Sequence, residues 1–263
     1  MKAFMKDLKK NPFSLITGVN TLFNGLLNQP DFKSIDFSKL KVSLGGGMAV
    51  QDAVAIKWQK ATGTPLLEAY GLSETSPAAT INPTNGSHRM GTIGVPIPST
   101  ELKIFDDDKK EVPHGERGEI GIKGPQVMKG YWMREDATKE SMHGEFFLTG
   151  DIGVMDEDGF FKIVDRKKEM VCVSGFNVYP SEVEAVIYSH PKVLEAGVRS
   201  EPDPKTTEAV AAFIVKKDES LTEQEIKDFC RENLTAYKVP KIVHFRKELP
   251  KSNVGKILRR LME

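Results

Sequence analysis

The sequence predicts a mixed helix-and-strand protein in two parts, the second of which is a small α+β domain. In the first part, a short apolar strand runs into three consecutive glycines, and a helix-like apolar face follows. In the second part, helices and strands alternate over about a hundred residues, and two of the helices begin with capping patterns. The pattern changes near residues 165–166, so we expect the domain boundary there.

In the first part, the residues before position 41 have the pattern of helix and loop. Lys41–Leu44 is predicted to be a strand that runs into Gly45–Gly47, after which Val50, Val54 and Trp58 fall on one helical face. A hairpin turn is predicted at residues 158–159, ahead of the last of three further strands. These strands are Glu101–Phe105, Gly118–Lys123 and Phe160–Asp165.

In the second part, two helices are predicted from their N-terminal patterns. Ser181 with Glu184, and Thr222 with Glu225, have the spacing of a capping box. A hydrophobic staple between residues 221 and 226 is expected at the second helix, whose apolar face holds Ile226, Phe229, Cys230 and Leu234. The predicted strands are Leu194–Arg199, Ala209–Lys217 and Lys241–Arg246.

Composition excludes several classes of protein. Lys plus Arg and Asp plus Glu number 37 each, so no broad attraction to nucleic acid is expected. Cys172 and Cys230 lack metal-type spacing and favour a reducing, cytoplasmic setting. The basic N-terminal residues precede no long apolar run, and no stretch approaches the roughly 20 apolar residues of a membrane span.

The segment Tyr70–Pro77 (YGLSETSP) carries the densest chemistry of the first part. Its glycine allows close approach of a ligand, and the hydroxyls of Ser73 and Thr75 flank the carboxylate of Glu74. Hydroxyls suit phosphate oxygens and a carboxylate suits Mg²⁺, although a polar turn after a strand explains the same residues. The glycines 45–47 are open to both readings, a nucleotide loop or a flexible turn, and lack the spacing of a dinucleotide fingerprint or a P-loop.

Three more segments carry candidate residues. Thr149–Asp151 (TGD) places a carboxylate after a turn, where it could accept hydrogen bonds from two ribose hydroxyls or simply form the turn. Asp165–Met170, followed by Val173–Pro180, joins a charged cluster to a glycine-bearing loop at the predicted boundary, although a solvated surface run explains the same charges. Lys251–Arg260 reads as a polar loop with Lys256, followed by a basic helix. The five histidines show no spacing typical of metal ligands.

Taken in order, these segments resemble the adenylate-forming superfamily, which includes acyl-CoA synthetases, luciferases and peptide-synthetase adenylation domains. The run DRKKEMVCVSGFNVYPSEVE (165–184) resembles the fatty acyl-CoA synthetase signature. The segments ITGVNTLFNGLL, GPQVMKGYW and LPKSNVGKILRR look like bacterial long-chain fatty acid–CoA ligases. The resemblance covers essentially the whole chain. It implies an α/β plus α+β fold: residues 1–164 as the C-terminal part of the large AMP-binding domain, a hinge at 165–166, and a small mobile C-terminal domain at 167–263.

The resemblance also implies a reaction. A fatty acid, ATP and coenzyme A give acyl-CoA, AMP and pyrophosphate through an acyl-adenylate, in an acid–thiol ligase that uses Mg²⁺. The central problem is neutralisation of charge, because a carboxylate must approach an anionic phosphate. The resemblance assigns catalysis to Lys256 and Glu74, and the metal to Glu74. It assigns nucleotide binding to Gly46, Gly47, Tyr70, Gly71, Ser73, Thr75, Asp151 and Arg166, the hinge to Asp165, and the coenzyme A channel to Ser174, Gly175 and Phe176.

One departure from the family pattern bears on activity. The superfamily's glycine- and Ser/Thr-rich phosphate loop is absent from these 263 residues, so we expect a fragment that is inactive alone. Sheet edges and apolar surface are expected to be exposed in such a piece. The substrate and the family together leave peripheral membrane contact and a full-length homodimer open. Two other interpretations remain: a ligase or adenylation domain for another carboxylic acid, and a non-catalytic nucleotide-binding remnant.

Overall fold

The computed structural model describes residues 1–252 and 257–262, which form two compact units. The first unit comprises Met1–Thr149 and Gly153–Ile163, and the second comprises Gly150–Ile152 and Val164–Glu263. The division therefore passes through two strands of one sheet. No helix among the described residues is long and apolar enough to cross a membrane.

Three α-helices and three strands lead up to the segment Tyr70–Pro77 in the first unit. The residues before position 41, expected to be helix and loop, also contain a strand, so that expectation is wrong in part. These elements are α1 (Lys2–Lys10), β1 (Leu15–Gly18), α2 (Asn20–Leu27), β2 (Val42–Gly45), α3 (Asp52–Thr62) and β3 (Leu66–Tyr70). The strand β1 is too short to be recognised alone, and parallel pairing with β2 holds it.

The first sheet has the order β1-β2-β3-β4-β5, with β4 at Thr80–Ile81 and β5 at Val95–Pro96. Its first three strands are parallel, and α3 packs on them through the predicted face. Trp58 is fully buried, and its indole N–H donates to the hydroxyl of Ser43 over 3.0 Å. The ring of Phe23 lies edge-on to Trp58 at 4.8 Å, so this pair of rings fills the space between α2 and α3.

The second sheet has the order β10-β9-β7-β6, with β8 paired to β9. Its core is made by Ile104, Ile120, Ile122 and Phe161. Gly159 has a φ of +81° in the turn before β10, as the hairpin prediction requires. The elements are β6 (Glu101–Phe105), β7 (Arg117–Lys123), α4 (Glu135–Glu140), β8 (Met142–His143), β9 (Phe146–Met155) and β10 (Phe161–Arg166).

The third sheet belongs to the second unit and has the order β12-β11-β14-β13, with β15 parallel to β14. One face of β14 packs against the two helices, and the other packs against Leu249 and Met262. The elements are β11 (Val171–Val173), β12 (Phe176–Val178), α5 (Pro180–Tyr188), β13 (Val193–Asp203), β14 (Thr207–Lys216), α6 (Glu223–Asn233) and β15 (Ile242–Arg246).

Of the two predicted capping boxes, one is confirmed and the other is wrong. Thr222 caps α6 and exchanges hydrogen bonds with Glu225, while Leu221 and Ile226 are both buried in the core. Helix α5 instead begins at Pro180, so Ser181 lies inside the helix and cannot be its N-cap. The side chain of Asp165 replaces the missing cap, since its Oδ2 accepts from the backbone N–H of Ser181 at 2.7 Å.

The basic helix predicted after Lys256 is also wrong for the described residues. Arg259–Leu261 forms a single 3-10 turn, and the backbone N–H of Leu258 donates to the carbonyl of Pro250. Lys251 and Ile257 form an isolated antiparallel bridge. Ile257 and Leu258 therefore bond to residues 250–251 and do not belong to a helix.

Candidate active site

The segment that follows β3 is a tight turn, and the hydroxyl of Thr75 holds it together. This hydroxyl accepts from the backbone N–H of Leu72 at 2.9 Å and lies 2.9 Å from the carbonyl oxygen of Pro77. Thr75 is fully buried, whereas Ser73 beside it is exposed. The turn therefore directs one hydroxyl inward to its own backbone and presents the other at the surface.

Gly71 is required in this turn for reasons of space. A Cβ at this position would lie 1.6 Å from the carbonyl oxygen of Pro77, a distance that no non-bonded atoms can share. The chain therefore approaches itself closely at this glycine. Any side chain here would force the turn to open.

Glu74 belongs to this turn and contacts a later segment of the first unit. Its backbone carbonyl accepts from the N–H of Met128 at 2.8 Å, and its Oε1 accepts from the phenolic hydroxyl of Tyr131 at 2.9 Å. Burial raises the pKa of Tyr131, and the hydrogen bond to Glu74 and its charge raise that pKa further. Tyr131 therefore stays protonated at neutral pH and orients the carboxylate. Sequence reasoning missed this residue because 57 positions separate the pair.

The glycine segment after β2 lies beside this turn. The strands β2 and β3 are parallel, with Gly45 opposite Glu68, so Gly46 and Gly47 leave the sheet at the same edge as Tyr70. The N–H of Gly46 donates to the carbonyl of Gly18, and a Cβ on Gly46 would lie 3.2 Å from the carbonyl oxygen of Ala69. Ligands of open α/β sheets bind outside the carboxyl ends of parallel strands, which is where these segments meet.

Glu68 is a carboxyl group with unusual acidity at this edge. Burial raises its pKa to about 7, although a hydrogen bond from the N–H of Val50 opposes the shift, and the charge of Asp52 adds to it. The only signal in the sequence is one acidic residue inside the apolar run LLEAY. Such a carboxyl group is neutral or charged at physiological pH depending on small changes around it.

In the second unit, Asp151 and Arg166 form an ion pair with Nε to Oδ1 at 2.7 Å. Asp151 is almost fully buried, while the Arg166 side chain is half exposed. The expectation that Asp151 follows a turn or begins a strand is wrong, since it lies in the middle of β9 beside Gly150, whose φ is +72°. The irregular backbone at this glycine turns the strand locally.

Asp165 makes contacts with both of its carboxylate oxygens. Its Oδ1 accepts from the backbone N–H of Arg166 at 2.8 Å and from Nη1 of Arg259 at 2.9 Å, and its Oδ2 binds the N-terminus of α5. The contact with Arg259 spans 94 positions, and sequence reasoning gave that arginine no role. No local pattern could have linked the two residues.

Ser174 and Gly175 form the turn between β11 and β12, with φ angles of +50° and +86°. Left-handed backbone at both central residues is typical of a two-residue hairpin. Phe176 follows the turn and is exposed, with its ring stacked on Tyr237 at 4.8 Å. Ser174, Phe176 and Tyr237 border a groove of about 620 Å³. Its basic residues Lys227, Arg231 and Lys241 each pair with a nearby carboxylate.

The structure thus brings one set of the predicted site residues together within each unit. In the first unit, the carboxyl ends of β2 and β3 lead directly into Gly46, Gly47 and the Tyr70–Pro77 turn. The second unit holds Asp151, Asp165, Arg166 and the hairpin turn at Ser174–Gly175. Lys256 lies outside the described residues.

Mg²⁺ fits the chemistry of the residues around Glu74. Among the described residues, no group of three His, Cys, Asp or Glu side chains could hold a metal by itself. Mg²⁺ bound to a nucleotide commonly takes one or two protein carboxylates and completes its coordination with phosphate oxygens and water. A single carboxylate fixed by Tyr131 near the carboxyl ends of parallel strands meets that requirement.

The turn at the carboxyl ends of parallel strands is an arrangement typical of α/β proteins that bind ligands there, and the chain belongs to the AMP-binding enzyme family. The AMP-binding enzyme model matches residues 1–132, and the model of the AMP-binding enzyme C-terminal domain matches residues 182–256. The predicted membership of the adenylate-forming superfamily and the predicted fold class are confirmed.

The chain is similar in sequence to several curated CoA ligases. A long-chain-fatty-acid–CoA ligase of Escherichia coli is 58% identical over 256 residues, covering 97% of this chain and 46% of the relative. The ligase of the same name from Haemophilus influenzae is 52% identical, covering 100% and 47%. A 2-succinylbenzoate–CoA ligase of Geobacillus kaustophilus is 43% identical over 219 residues, covering 82% and 44%. The chain spans about half the length of these relatives.

Solved structures agree on the fold. ATP-bound MatB from Rhodopseudomonas palustris matches with a TM-score of 0.86 and 31% identity, covering 99% of this chain and 52% of that one. The o-succinylbenzoate coenzyme A synthetase MenE of Bacillus subtilis, in complex with ATP and magnesium ion, matches with a TM-score of 0.82 and 30% identity, covering 99% and 53%.

Proposed function

We propose that the protein acts in a long-chain fatty acid–CoA ligase, which converts a fatty acid, ATP and coenzyme A into acyl-CoA, AMP and pyrophosphate. The observation that carries the proposal is the position of the Tyr70–Pro77 turn. It lies beside Gly46 and Gly47 at the carboxyl ends of two parallel strands, with a carboxylate held in place by Tyr131. The names of the curated relatives from Escherichia coli and Haemophilus influenzae support a fatty acid as the substrate.

The nucleotide site is proposed to lie at this edge. Glu74 would bind Mg²⁺, which when bound offsets negative charge on the phosphates of ATP. Ser73 is exposed on the turn and suits a direct phosphate contact, whereas the Thr75 hydroxyl would have to share its existing backbone bonds to make one. Tyr70 would pack near the adenine. Gly46 and Gly47, together with Gly71, would let the backbone approach the nucleotide closely.

Asp151 and Arg166 are proposed to hold the ribose. The guanidinium of Arg166 fixes one carboxylate oxygen of Asp151, and a buried carboxylate held in this way can accept hydrogen bonds from sugar hydroxyls.

The first chemical step would be attack of the fatty carboxylate on the α-phosphate of ATP. A bond forms between the carboxylate oxygen and the α-phosphorus. The bond between the α-phosphorus and the oxygen that bridges to the β-phosphate breaks, and pyrophosphate leaves with the electron pair of that bond. Both reactants are anions, so catalysis consists mainly of placing positive charge around the phosphate. We assign that role to Lys256, whose ammonium group is a compact cation suited to developing charge on oxygen.

The second step would be attack of the coenzyme A thiol on the acyl-adenylate carbonyl, with AMP as the leaving group. We propose that residues 167–263 move as a small domain relative to residues 1–164, about a hinge at 165–166 that includes Asp165. The hairpin turn of Ser174 and Gly175, with Phe176, would border the channel for the pantetheine arm. The groove next to Phe176 supports this assignment.

The wider setting follows from the substrates. A long-chain acid partitions into lipid, so we propose a cytoplasmic enzyme that makes peripheral membrane contact during substrate uptake. The balanced charge of the chain supports small-molecule substrates over nucleic acid. A homodimer of the full-length enzyme is part of the same proposal.

A ligase for another carboxylic acid is the second candidate, and the similarity to a 2-succinylbenzoate–CoA ligase favours it. The two candidates differ in the acid that they accept, so a panel of acids separates them. Long-chain saturated acids test the first candidate, and aromatic or short dicarboxylic acids test the second.

The test measures AMP release from ATP, Mg²⁺ and coenzyme A with each acid of the panel. The 263-residue chain is assayed alone and as a fusion behind the upstream half of the Escherichia coli relative. We expect the chain alone to be silent and the fusion to turn over long-chain acids, with Glu74→Gln as the inactive control. A fusion that turns over only aromatic acids would replace the first candidate by the second. A folded fusion that is silent with every acid would overturn both.

A further inference from the structure

Arg259 uses every donor of its guanidinium group. Its Nε and Nη2 donate to the two oxygens of Glu184 at 2.8 and 2.6 Å, and Nη2 also donates to the hydroxyl of Ser181 at 3.0 Å. Its Nη1 donates to Asp165 at 2.9 Å and to Glu169. An arginine side chain has five N–H donors, and these contacts account for all of them. An arginine at the surface rarely uses all five donors, so we interpret these contacts as a specific connection between Arg259 and its partners.

Burial makes these contacts strong. The Arg259 and Glu184 side chains are each 15% exposed, and the Asp165 side chain is 2% exposed. Burial opposes the charge on the guanidinium, but the hydrogen bonds and charges of Glu184, followed by those of Asp165 and Glu169, outweigh it and raise the pKa of Arg259. Water screens little of the interaction, in contrast to ion pairs at the surface.

Arg259 offsets part of the negative charge of the three carboxylates that contact it. Three carboxylates surround one guanidinium, so its removal would leave three like charges close together and partly buried. Breaking a buried pair by removing one partner is strongly destabilising, because the remaining charge keeps its desolvation cost. The cluster in this form therefore depends on Arg259.

The four partners of Arg259 come from three places in the second unit. Asp165 is the residue before the last in β10, Glu169 lies in the 3-10 turn Lys167–Glu169, and Ser181 and Glu184 lie in α5. Arg259 itself begins the last 3-10 turn. A single side chain thus ties the end of the chain to the boundary segment and to the first helix that follows it.

Arg259 also stands next to the segment that carries Lys256. The bridge between Lys251 and Ile257 and the hydrogen bond from Leu258 to Pro250 close the base of that segment. Arg259 follows directly after this base, three positions after Lys256. Whatever fixes Arg259 therefore fixes one end of the segment.

We propose that Arg259 is a positioning residue for adenylation, because it fixes the base of the Lys256 segment to Asp165 and α5. The inference rests on the proposed function, in which Lys256 stabilises the transition state. It adds that the cation reaches the α-phosphate only when its segment is anchored. Correct placement matters because a displacement of about 1 Å can cost a factor on the order of 100 in rate.

The anchor can be tested on the 263-residue chain without any activity. Amide hydrogen exchange is compared for the wild type, Arg259→Gln and the matched control Arg260→Gln, whose side chain is exposed. In Arg259→Gln we expect exchange to rise roughly tenfold or more in peptides covering 250–258 and 180–185, with no change in α6. No change at 250–258, or an equal rise throughout the second unit, would overturn the anchor.

The role in the reaction is tested in the fusion by measuring pyrophosphate release from ATP and a long-chain acid. Arg259→Gln should slow this half-reaction about 100-fold, while thioester formation from added acyl-adenylate falls less than about threefold. In Lys256→Ala, the further change Arg259→Gln should cost almost nothing, because the anchored cation is already gone. Losses that simply multiply would show a merely structural role and would overturn the proposal.

The two parts of the inference fail separately from the proposed function. Wild-type fusion that forms no acyl-adenylate contradicts the proposed function, and the exchange experiment then judges the anchor alone. Arg259→Lys gives a further check, since it keeps the charge but supplies fewer donors in a different geometry. We expect Arg259→Lys to fall between the wild type and Arg259→Gln in both measurements, and equality with Arg259→Gln in exchange would contradict an electrostatic contribution to the anchor.

Discussion

The phenolic hydroxyl of Tyr131 donates to Oε1 of Glu74 over 2.9 Å, although 57 positions separate them in the chain. Because the neutral phenol is the donor, the carboxylate stabilises the protonated form of Tyr131 and raises its pKa in addition to the effect of burial. Glu74→Gln should therefore lower the pKa of Tyr131 towards its ordinary value near 10. NMR titration of tyrosine labelled at ¹³Cζ measures this shift, and an unchanged or higher pKa would contradict the contact.

The same hydrogen bond predicts how the metal site responds to mutation. Tyr131→Phe removes the group that orients Glu74, and loss of such a supporting contact typically weakens metal affinity about 10- to 100-fold. We expect the Mg²⁺ concentration for half-maximal AMP release by the fusion to rise by about that factor. The neighbouring Trp132→Phe is the matched control, because the Trp132 side chain is 89% exposed. An equal rise in both variants would mean that the loop as a whole, and not the hydroxyl, matters.

We expect the replacement Glu68→Gln to increase the stability of the protein in a pH-dependent way. Its folded-state pKa of about 7 lies above the unfolded value of 4.5, so folding favours the protonated form. The wild type therefore loses stability as pH rises from about 4.5 to about 7, and the loss is complete above that window. Glu68→Gln stays neutral and can still accept from Val50, so it should be more stable than the wild type at pH 8. At about 1.4 kcal/mol for each pKa unit, roughly 3 kcal/mol is the upper limit.

Urea denaturation at pH 5 and pH 8 measures this difference in the free energy of unfolding. The control is Glu116→Gln, an exposed glutamate of the same unit. The advantage of Glu68→Gln should be much smaller at pH 5 than at pH 8. An advantage that is the same at both pH values would contradict the assigned ionisation.

We expect replacement of Gly71 to cause a steric clash that is local to the turn. In Gly71→Ala the new Cβ meets the carbonyl oxygen of Pro77, so the turn must open. We expect the free energy of unfolding of the first unit to fall by about 1–3 kcal/mol, as is usual for overpacking. Gly25→Ala is the control, because a Cβ there meets only the end of the flexible Met1 side chain. Equal stability of Gly71→Ala and the wild type would show that the turn tolerates a side chain.

Thr222 predicts a modest and separable loss in the second unit. Its hydroxyl accepts from the backbone N–H of Glu225 at 3.2 Å, so Thr222→Ala should lower the free energy of unfolding by about 1 kcal/mol. Thr235 is the matched control, since it also precedes a helical turn but its side chain makes no capping bond. Chemical denaturation followed by circular dichroism compares the two. A larger loss in Thr235→Ala would contradict the assignment.

The sequence predicted the elements that depend on local patterns. The apolar face of Trp58, the hairpin turn at Gly159 and the cap at Thr222 each need only residues within a few positions. The strand β1 was missed because four residues carry too little periodicity, and its pairing with β2 comes from elsewhere in the chain. The cap predicted at Ser181 was wrong because Asp165, 16 positions away, provides the acceptor.

The candidate site divides in the same way. The order of the motifs pointed to Glu74, Asp151 and Lys256 as site residues, and these assignments stay predictions. Tyr131, Glu68 and Arg259 were not found from sequence, since each acquires its character from burial or from a distant partner. A tyrosine, a glutamate in an apolar strand and an arginine in a basic tail look ordinary until the fold supplies their neighbours.

Because Asp165 contacts the N-terminus of α5, a shortened protein that contains α5 and the residues after it should begin before Asp165. A shortened protein that starts at Lys167 would keep the whole helix but lose the carboxylate that accepts from Ser181 and pairs with Arg259. The residues ahead of the helix are therefore part of its folding information, although they lie in a strand. Starting at Val164 retains this carboxylate, and the difference between the two lengths reports how much residues 164–166, which include it, contribute to an entire helix.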